Sequence, residues 1–252
     1  METTLLRNLP ADLNPCTLPA HVAVIMDGNG RWAKRQGQPR LVGHRRGADN
    51  LVDLLHCCKN WGIRTLTAYA FSTENWERPK VEVELLMWLI EQMIRRKLPE
   101  LKAMGMRFDC IGDLTVLPHS LRSEIQRAIE QTADNTSVEF VMAINYGGQQ
   151  EILQACQAIA AQVERGVIKA SQIDRVLFEQ HLYTGRKQNP DLLIRTSGEK
   201  RLSNFLLWQL AYTELYFTDT FWPDFDAGEF HQALLAYQAR NRRFGRVKAT
   251  QD

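Results

Sequence analysis

The stretch HVAVIMDGNGRWAKRQG, residues 21–37, opens as an apolar strand, stops at an aspartate and runs straight into glycines and cations. A short β-branched run bounded by turn residues is what a strand buried on both faces looks like. The pattern recurs at RTLTAYAF (64–71), MRFDCIG (106–112), VEFVMAINY (138–146) and DLLIRTS (191–197), with ELYFTD (214–219) as a sixth strand. Amphipathic segments of helical period fill the intervals, at about 43–61, 80–104, 118–134, 147–165, 171–183, 204–212 and 226–243. Strands alternating with longer helical patterns predict an α/β fold: a single domain with a central, mostly parallel six-stranded sheet surrounded by helices. In such sheets ligands gather at the carboxyl ends of the strands, so the residues just after each strand are the ones to inspect.

Composition sets the outer bounds. A chain of 252 residues without repeats or low-complexity linkers suits one domain, predicted over 19–246, with a flexible lead-in at 1–18 and a tail at 247–252. The 31 basic and 29 acidic residues leave a net charge of +2, too even for a nucleic-acid binder, so any anion site must come from local clustering. Five cysteines with no CxxC spacing argue against a disulfide framework and for a reducing cytoplasm. The start METTLLRNLP lacks a signal-peptide pattern, and the apolar window LLMWLIEQMI (85–94) is too short to span a bilayer and carries Glu91. The expected location is cytoplasmic, peripheral to the membrane at most.

After the first strand come Asp27, Gly28, Asn29, Gly30 and Arg31, then Lys34, Arg35 and Arg40. Glycines let backbone N–H groups approach an anion, and the cations add charge-assisted bonds. An aspartate there would repel phosphate unless a cation intervened, so Asp27 reads as a ligand for a hard metal such as Mg²⁺. Neither GxxxxGK[ST] nor GxGxxG is present. A phosphatase with an aspartate nucleophile stays open, although position 29 is asparagine where a second carboxylate is usual. His44 follows Gly43 at the next helix and can cap, donate to a phosphate oxygen or relay a proton.

The second strand is followed by FSTENWERPK, a helix-entry turn crowded with Phe71, Ser72, Glu74, Asn75, Trp76 and Arg78. The fifth is followed by Arg195, then Ser197, Gly198, Arg201, Ser203 and Asn204, a second cradle built from the same parts as the first. Glu214, where the sixth strand begins, is either a second metal ligand or a solvated acid. Two cradles with a metal between them suggest two phosphorylated substrates meeting head to head. The apolar stripe of residues 81–105 (Val81, Leu85, Trp88, Leu89, Ile90, Met93) is wide for simple core packing. Together with strand 138–144 it predicts an apolar tunnel leading from the phosphates, with Ala143 in its wall and Val138 as a candidate floor.

These segments resemble the cis-prenyltransferases. HVAVIMDGNGRWAK, Gly43-His44, AYAFSTENWERP, NYGG (145–148), DLLIRTSGEKRLSNFLLWQLAYTELYF and the terminal RRFG carry the resemblance, which covers residues 19–246. It implies a Mg²⁺-dependent enzyme that condenses isopentenyl diphosphate repeatedly onto an allylic diphosphate such as farnesyl diphosphate, creating cis double bonds. A long-chain product of the undecaprenyl type, a lipid carrier for cell-wall synthesis, is the best match; shorter cis products are the alternative. The resemblance implies a homodimer and release of product to a membrane. Carried over residue by residue, it makes Asp27 the metal ligand, with Glu214 associated. Gly28, Asn29, Gly30, Arg31, Arg40 and His44 match the allylic diphosphate pocket, with Arg78 at its edge; Trp32 is expected to bind substrate as well. Arg195, Arg201 and Ser203 match the isopentenyl diphosphate pocket. Ser72, Asn75 and Trp76 match residues at the reacting carbons, Phe71 and Glu74 are expected to bind substrate beside them, and Arg243 with Gly245 match a motif that completes the partner subunit's site. The proton acceptor stays open among Asn75, Ser72, His44 and the released diphosphate.

Overall fold

The computed structural model describes residues 8–185 and 187–240. Six strands form one sheet: β1 (His21–Ile25), β2 (Thr65–Ser72), β3 (Arg107–Ile111), β4 (Glu139–Tyr146), β5 (Leu192–Arg195) and β6 (Glu214–Phe217). Their order is β3-β4-β2-β1-β5-β6, and every neighbouring pair is parallel. The helices among the described residues are α1 (Asn29–Arg35), α2 (Arg40–Trp61), α3 (Lys80–Ala103), α4 (His119–Thr132), α5 (Gly148–Glu164), α6 (Arg175–Gln180) and α7 (Ala227–Gln238).

The pleat divides the strands between two cores. Val22, Val24, Leu66, Ala68, Phe140, Met142 and Ile194 face one side, packed by α2, α3, α4 and α7. Ala23, Ile25, Val141, Ala143 and Leu193 face the other, under Phe205, Leu206 and Leu210. Burial on both faces accounts for the continuous apolar runs in the sequence. It also corrects one expectation: Ala143 lies in the second core, away from α3, and cannot form a wall facing that helix. Val138 is buried in the first core and does not line the cleft described below.

Helix boundaries differ from the sequence reading at the last helix, where α7 stops at Gln238 and not at 243, and in three other places. The glycine-rich stretch after β1 is a helix, α1, entered through Gly28 at φ 101°, and α2 already begins at Arg40. No helix forms at 204–212, which is a series of turns, because Ser203, Asn204 and Leu206 adopt φ values of 49°, 63° and 46°. Residues in that left-handed region cannot continue a right-handed helix. The segment 171–183 keeps α-helix only at α6, where Asp174 caps the first turn through the Leu177 N–H, after a 3-10 turn over Ala170–Gln172.

Residues 8–18 make specific contacts: Leu13 is buried, the Trp61 indole N–H donates to the Asn8 carbonyl, and His231 pairs with Asp12.

Candidate functional site

The carboxyl ends of β1, β2 and β5 open onto one cleft that contains Asp27. Its backbone is fixed on three sides: its N–H donates to the Ile25 carbonyl (2.9 Å), and its carbonyl accepts from Thr196 Oγ1 (2.7 Å) and the Trp222 N–H (3.0 Å). Asp27 Oδ1 accepts from the Gly28 N–H at 2.7 Å and Arg31 Nη2 at 3.2 Å, and Oδ2 accepts from Arg195 Nη2 at 2.9 Å. Burial by itself would raise this carboxyl. The Arg195 guanidinium, then Arg31 and the Gly28 N–H, outweigh it and hold the group below its ordinary range. Asp27 is therefore an anion at neutral pH, balanced by two arginines.

Arg195, whose side chain is only 4% exposed, extends the arrangement toward the second loop. Its Nη1 donates to Ser203 Oγ (2.7 Å) and to the Arg201 carbonyl (2.6 Å). The Arg201 side chain pairs with Glu199, which also receives Arg31 at 3.0 Å. Arg31 also donates to Ser197 Oγ. Asp27, Arg31, Arg195, Arg201 and Ser203 thus form one continuous network.

The opposite bank is built by α1 against α2. That approach requires glycine: a Cβ at Gly43 would meet the Asn29 carbonyl oxygen at 2.0 Å, and one at Gly47 would meet Asn29 Oδ1 at 2.2 Å. Arg40 lies against Gly30 and 3.4 Å from Glu82, which also takes Arg78 at 3.1 Å. His44 faces the same space. Burial, with Arg40 and Arg78 adding repulsion, lowers its imidazole to about 4, so it is neutral at pH 7. At the end of β2, Ser72 and Asn75 cap the following turn: Asn75 Oδ1 accepts the Ser72 N–H at 3.2 Å.

From this polar mouth a cleft of about 560 Å³ runs between α2 and α3. Asp27, Asn29, His44, Phe71, Ser72, Asn75, Arg78, Arg195, Arg201 and Ser203 line the polar part. Leu86, Trp88, Leu89, Ile90 and Met93 of α3 line the apolar part with Met142 of β4. The stripe on α3 divides: Val83, Met87, Ile94 and Leu98 pack into the core and the adjacent face lines the cleft, whereas Val81 is exposed at the start of the helix and Leu85 reaches neither.

Several expected residues are not brought to the cleft. Trp32 donates its indole N–H to Asp224 at 2.7 Å, on the far side of α1, and is not among the cleft-lining residues. Trp76 turns to Asn145, donating to Oδ1 at 2.7 Å, in a separate depression. Glu74 accepts from Asn204 Nδ2 at 2.8 Å beside the second loop. Glu214 pairs with Arg240 at 2.7 Å and sits in register with Leu192, at the opposite end of β5 from Arg195, so within one chain it does not stand beside Asp27. Arg243 and Gly245 lie outside the described residues. The sequence reading also missed lining residues: Met26, Arg45, Gly47, Ala48 and Leu51. His44, Ala48 and Leu51 are spaced i, i+4, i+7, so helical periodicity from His44 was the available signal. Tyr69 was missed as well; it donates to the Tyr146 carbonyl at 3.0 Å.

Buried polar atoms are normally paired. Among the described residues the unpaired ones are Asn29 Oδ1, His44 Nε2, Arg195 Nε and Gln209 Oε1, and the first three belong to residues lining this one cleft. A polar mouth rich in arginine, with unused hydrogen-bonding capacity and an apolar interior behind it, suits an amphiphile with an anionic head.

Known proteins agree with that chemistry. A family model described as "Putative undecaprenyl diphosphate synthase" matches residues 25–245. An isoprenyl transferase of Prochlorococcus marinus is 49% identical over 249 residues, covering 99% of this chain and 94% of the relative. A chloroplastic dehydrodolichyl diphosphate synthase of Solanum lycopersicum is 49% identical over 239 residues, covering 94% of this chain and 76% of the relative. The solved structure of lavandulyl diphosphate synthase from Lavandula x intermedia, in complex with dimethylallyl diphosphate, superposes with a TM-score of 0.89 at 40% identity, covering 91% of this chain and 99% of the other.

Proposed function

The chain belongs to the isoprenyl transferase (cis-prenyltransferase) family of enzymes, and from that premise we propose that it adds isopentenyl diphosphate repeatedly to an allylic diphosphate, with farnesyl diphosphate as the starter. The proposed product is a long-chain cis-polyprenyl diphosphate of the undecaprenyl type. The observation that carries this reading is the coexistence, in one cleft, of two arginine-bearing loops meeting at Asp27 and an apolar groove running away from them. A phosphatase needs one anion pocket and no groove.

In this reading Asn29, Gly30, Arg40, His44 and Arg78 hold the allylic diphosphate, and Arg195, Arg201 and Ser203 hold isopentenyl diphosphate. Arg31 lies between them on Asp27 and Glu199. The new C–C bond forms between C1 of the allylic chain and C4 of isopentenyl diphosphate as the allylic C–O bond breaks. The bonding electrons leave with the diphosphate, and the proton lost from C2 of the incoming unit passes to that departing diphosphate. The arginines, fixed before substrate arrives, stabilise charge on the departing diphosphate. The two pockets supply proximity. Neutral His44 can donate or accept a hydrogen bond at the leaving group.

Asp27 suits a hard cation. It offers a single carboxylate, and among the described residues no three His, Cys, Asp or Glu side chains gather. A hard cation such as Mg²⁺ would be held there by the Asp27 carboxylate, the acidic side chain that pairs with both arginines. Mg²⁺, when bound, would neutralise charge on the diphosphate oxygens. Arg195 and Arg31, which now balance Asp27, would then be free for substrate.

The proposed assembly is a homodimer in which Arg243 and Gly245 complete the partner's site. Among the described residues no helix is long and apolar enough to cross a membrane, which fits a protein meeting the bilayer only to hand over product. Mass analysis of products made from farnesyl diphosphate and isopentenyl diphosphate, with and without Mg²⁺, tests this reading. A Mg²⁺-dependent series ending near eleven isoprene units supports it. A product that stops after one or two additions would reassign the protein to the short-chain alternative.

A further inference from the structure

The end of β4 touches both anion-binding loops, and three features of that junction have no role in the chemistry above. First, Asn145 is 6% exposed and held at φ 47°, in the left-handed region that few residues other than glycine and asparagine adopt readily. Its Oδ1 accepts the Trp76 indole N–H at 2.7 Å, and its Nδ2 donates to the Asp113 carbonyl at 2.7 Å. Trp76 belongs to the turn that carries Ser72, Asn75 and Arg78 to the cleft.

Second, Gly147 lets two separate segments close on one point. A Cβ there would lie 2.6 Å from Thr73 Oγ1 and 2.8 Å from Asn204 Nδ2. Its own backbone is extended, at φ −151° and ψ 128°, so the demand for glycine is one of space and not of conformation.

Third, Asn204 joins the two loops. Its Nδ2 donates to Glu74 at 2.8 Å, its Oδ1 accepts the Gln149 N–H at 2.8 Å, and its carbonyl accepts the Gly148 N–H at 2.6 Å. It also sits at positive φ, next to Ser203, which receives Arg195. Tyr69 bridges the same gap, donating to the carbonyls of Tyr146 (3.0 Å) and Ser203 (3.4 Å).

We infer that the β4–α5 junction, residues 145–148 with Asn204 as its joint, is a positioning brace that couples the two diphosphate pockets, so that filling one tightens the other. The turn 72–78 edges one pocket and the loop 196–204 forms the other, and the brace is where their positions are fixed against each other. Tight packing at such a point favours two discrete arrangements over a gradual deformation. This inference rests on the transferase reading, which supplies two ligands to couple.

The test is titration calorimetry of isopentenyl diphosphate with Mg²⁺, alone and with saturating farnesyl thiodiphosphate, an allylic analogue that binds without reacting. The intact protein is expected to bind isopentenyl diphosphate about fivefold or more tightly when the analogue is present, and reciprocally. Gly147→Ala, which wedges a methyl group against both segments, should bring that ratio close to one. Asn204→Gly tests the same point without steric load: glycine accepts the positive φ, while the bonds to Glu74 and Gln149 are lost. A structural role alone would weaken each ligand but leave the ratio unchanged. An intact protein that binds both compounds independently, or an Asn204→Gly variant with the full ratio, overturns the brace. If neither compound binds, it is the transferase reading that fails.

Discussion

Replacing Asp27 by asparagine separates two consequences that most active-site substitutions confound. Asp27 holds Arg195 at 2.9 Å and Arg31 at 3.2 Å, so its carboxylate engages both guanidinium groups. Asp27→Asn keeps the shape and removes the charge. Charge-assisted bonds of this kind are worth about 1.5–3 kcal/mol when buried, and with Asp27 30% and Arg31 45% exposed the pair is discounted to about 1–1.5 kcal/mol in total. Released to a ligand, that amount is about tenfold in affinity. In EDTA the variant is therefore expected to bind isopentenyl diphosphate about tenfold more tightly than the intact protein, while turnover with Mg²⁺ falls by about a hundredfold or more. Stability follows the same pair. The Asp27 carboxyl is depressed, so its contribution is present above its ordinary value of 3.8 and is lost as pH falls through its lower folded value. The intact protein should lead the variant in thermal midpoint at pH 7 and converge on it in strong acid. Calorimetry in EDTA gives the decisive number: unchanged or weaker metal-free binding would show that Asp27 does not restrain these arginines, and unchanged turnover would remove it from the mechanism.

Other expectations follow from the same geometry. Arg201→Ala should raise KM for isopentenyl diphosphate with little effect on the allylic KM; the reverse, in steady-state kinetics, would exchange the pockets. Ala48→Phe places six extra carbons in the cleft wall and should shorten the product, read by mass spectrometry; an unchanged length would mean the chain takes another path. His44 titrates near 4 in the fold against 6.5 in an unfolded chain, so the folded state binds fewer protons between those values and loses stability as pH falls through that window. The loss is at most about 3 kcal/mol. His44→Gln should abolish it, and denaturation midpoints that fall equally in both proteins from pH 6.5 to 4 would refute the assignment.

Much of this architecture was legible because buried parallel strands leave an unmistakable record. HVAVI, DLLIR and VEFVMAINY are apolar without alternation, which happens only when both sheet faces are covered. Asp27 and Arg195 were found by the rule that ligands gather at strand ends, and the rule works because parallel strands bring all their carboxyl ends to one edge. What stayed hidden depended on side-chain direction. Ala143 and Met142 are adjacent in the chain, and the pleat sends one to each face, so only register decides which one meets the cleft. Trp76 sits in a turn full of cleft residues and still points away, because its indole is held by Asn145, 69 positions further on. The missing helix at 204–212 has apolar residues enough, but positive φ at Asn204 and Leu206 comes from tertiary contacts that no local pattern announces.

The central claim is that two diphosphates meet at Asp27 and are joined by a carbon–carbon bond. It is tested most directly by incubating the purified protein with farnesyl diphosphate, labelled isopentenyl diphosphate and Mg²⁺. The account expects label in a lengthened, butanol-extractable chain, one equivalent of inorganic diphosphate per unit added and a cis double bond at each new position. Release of orthophosphate with the farnesyl chain left at its original length would contradict it.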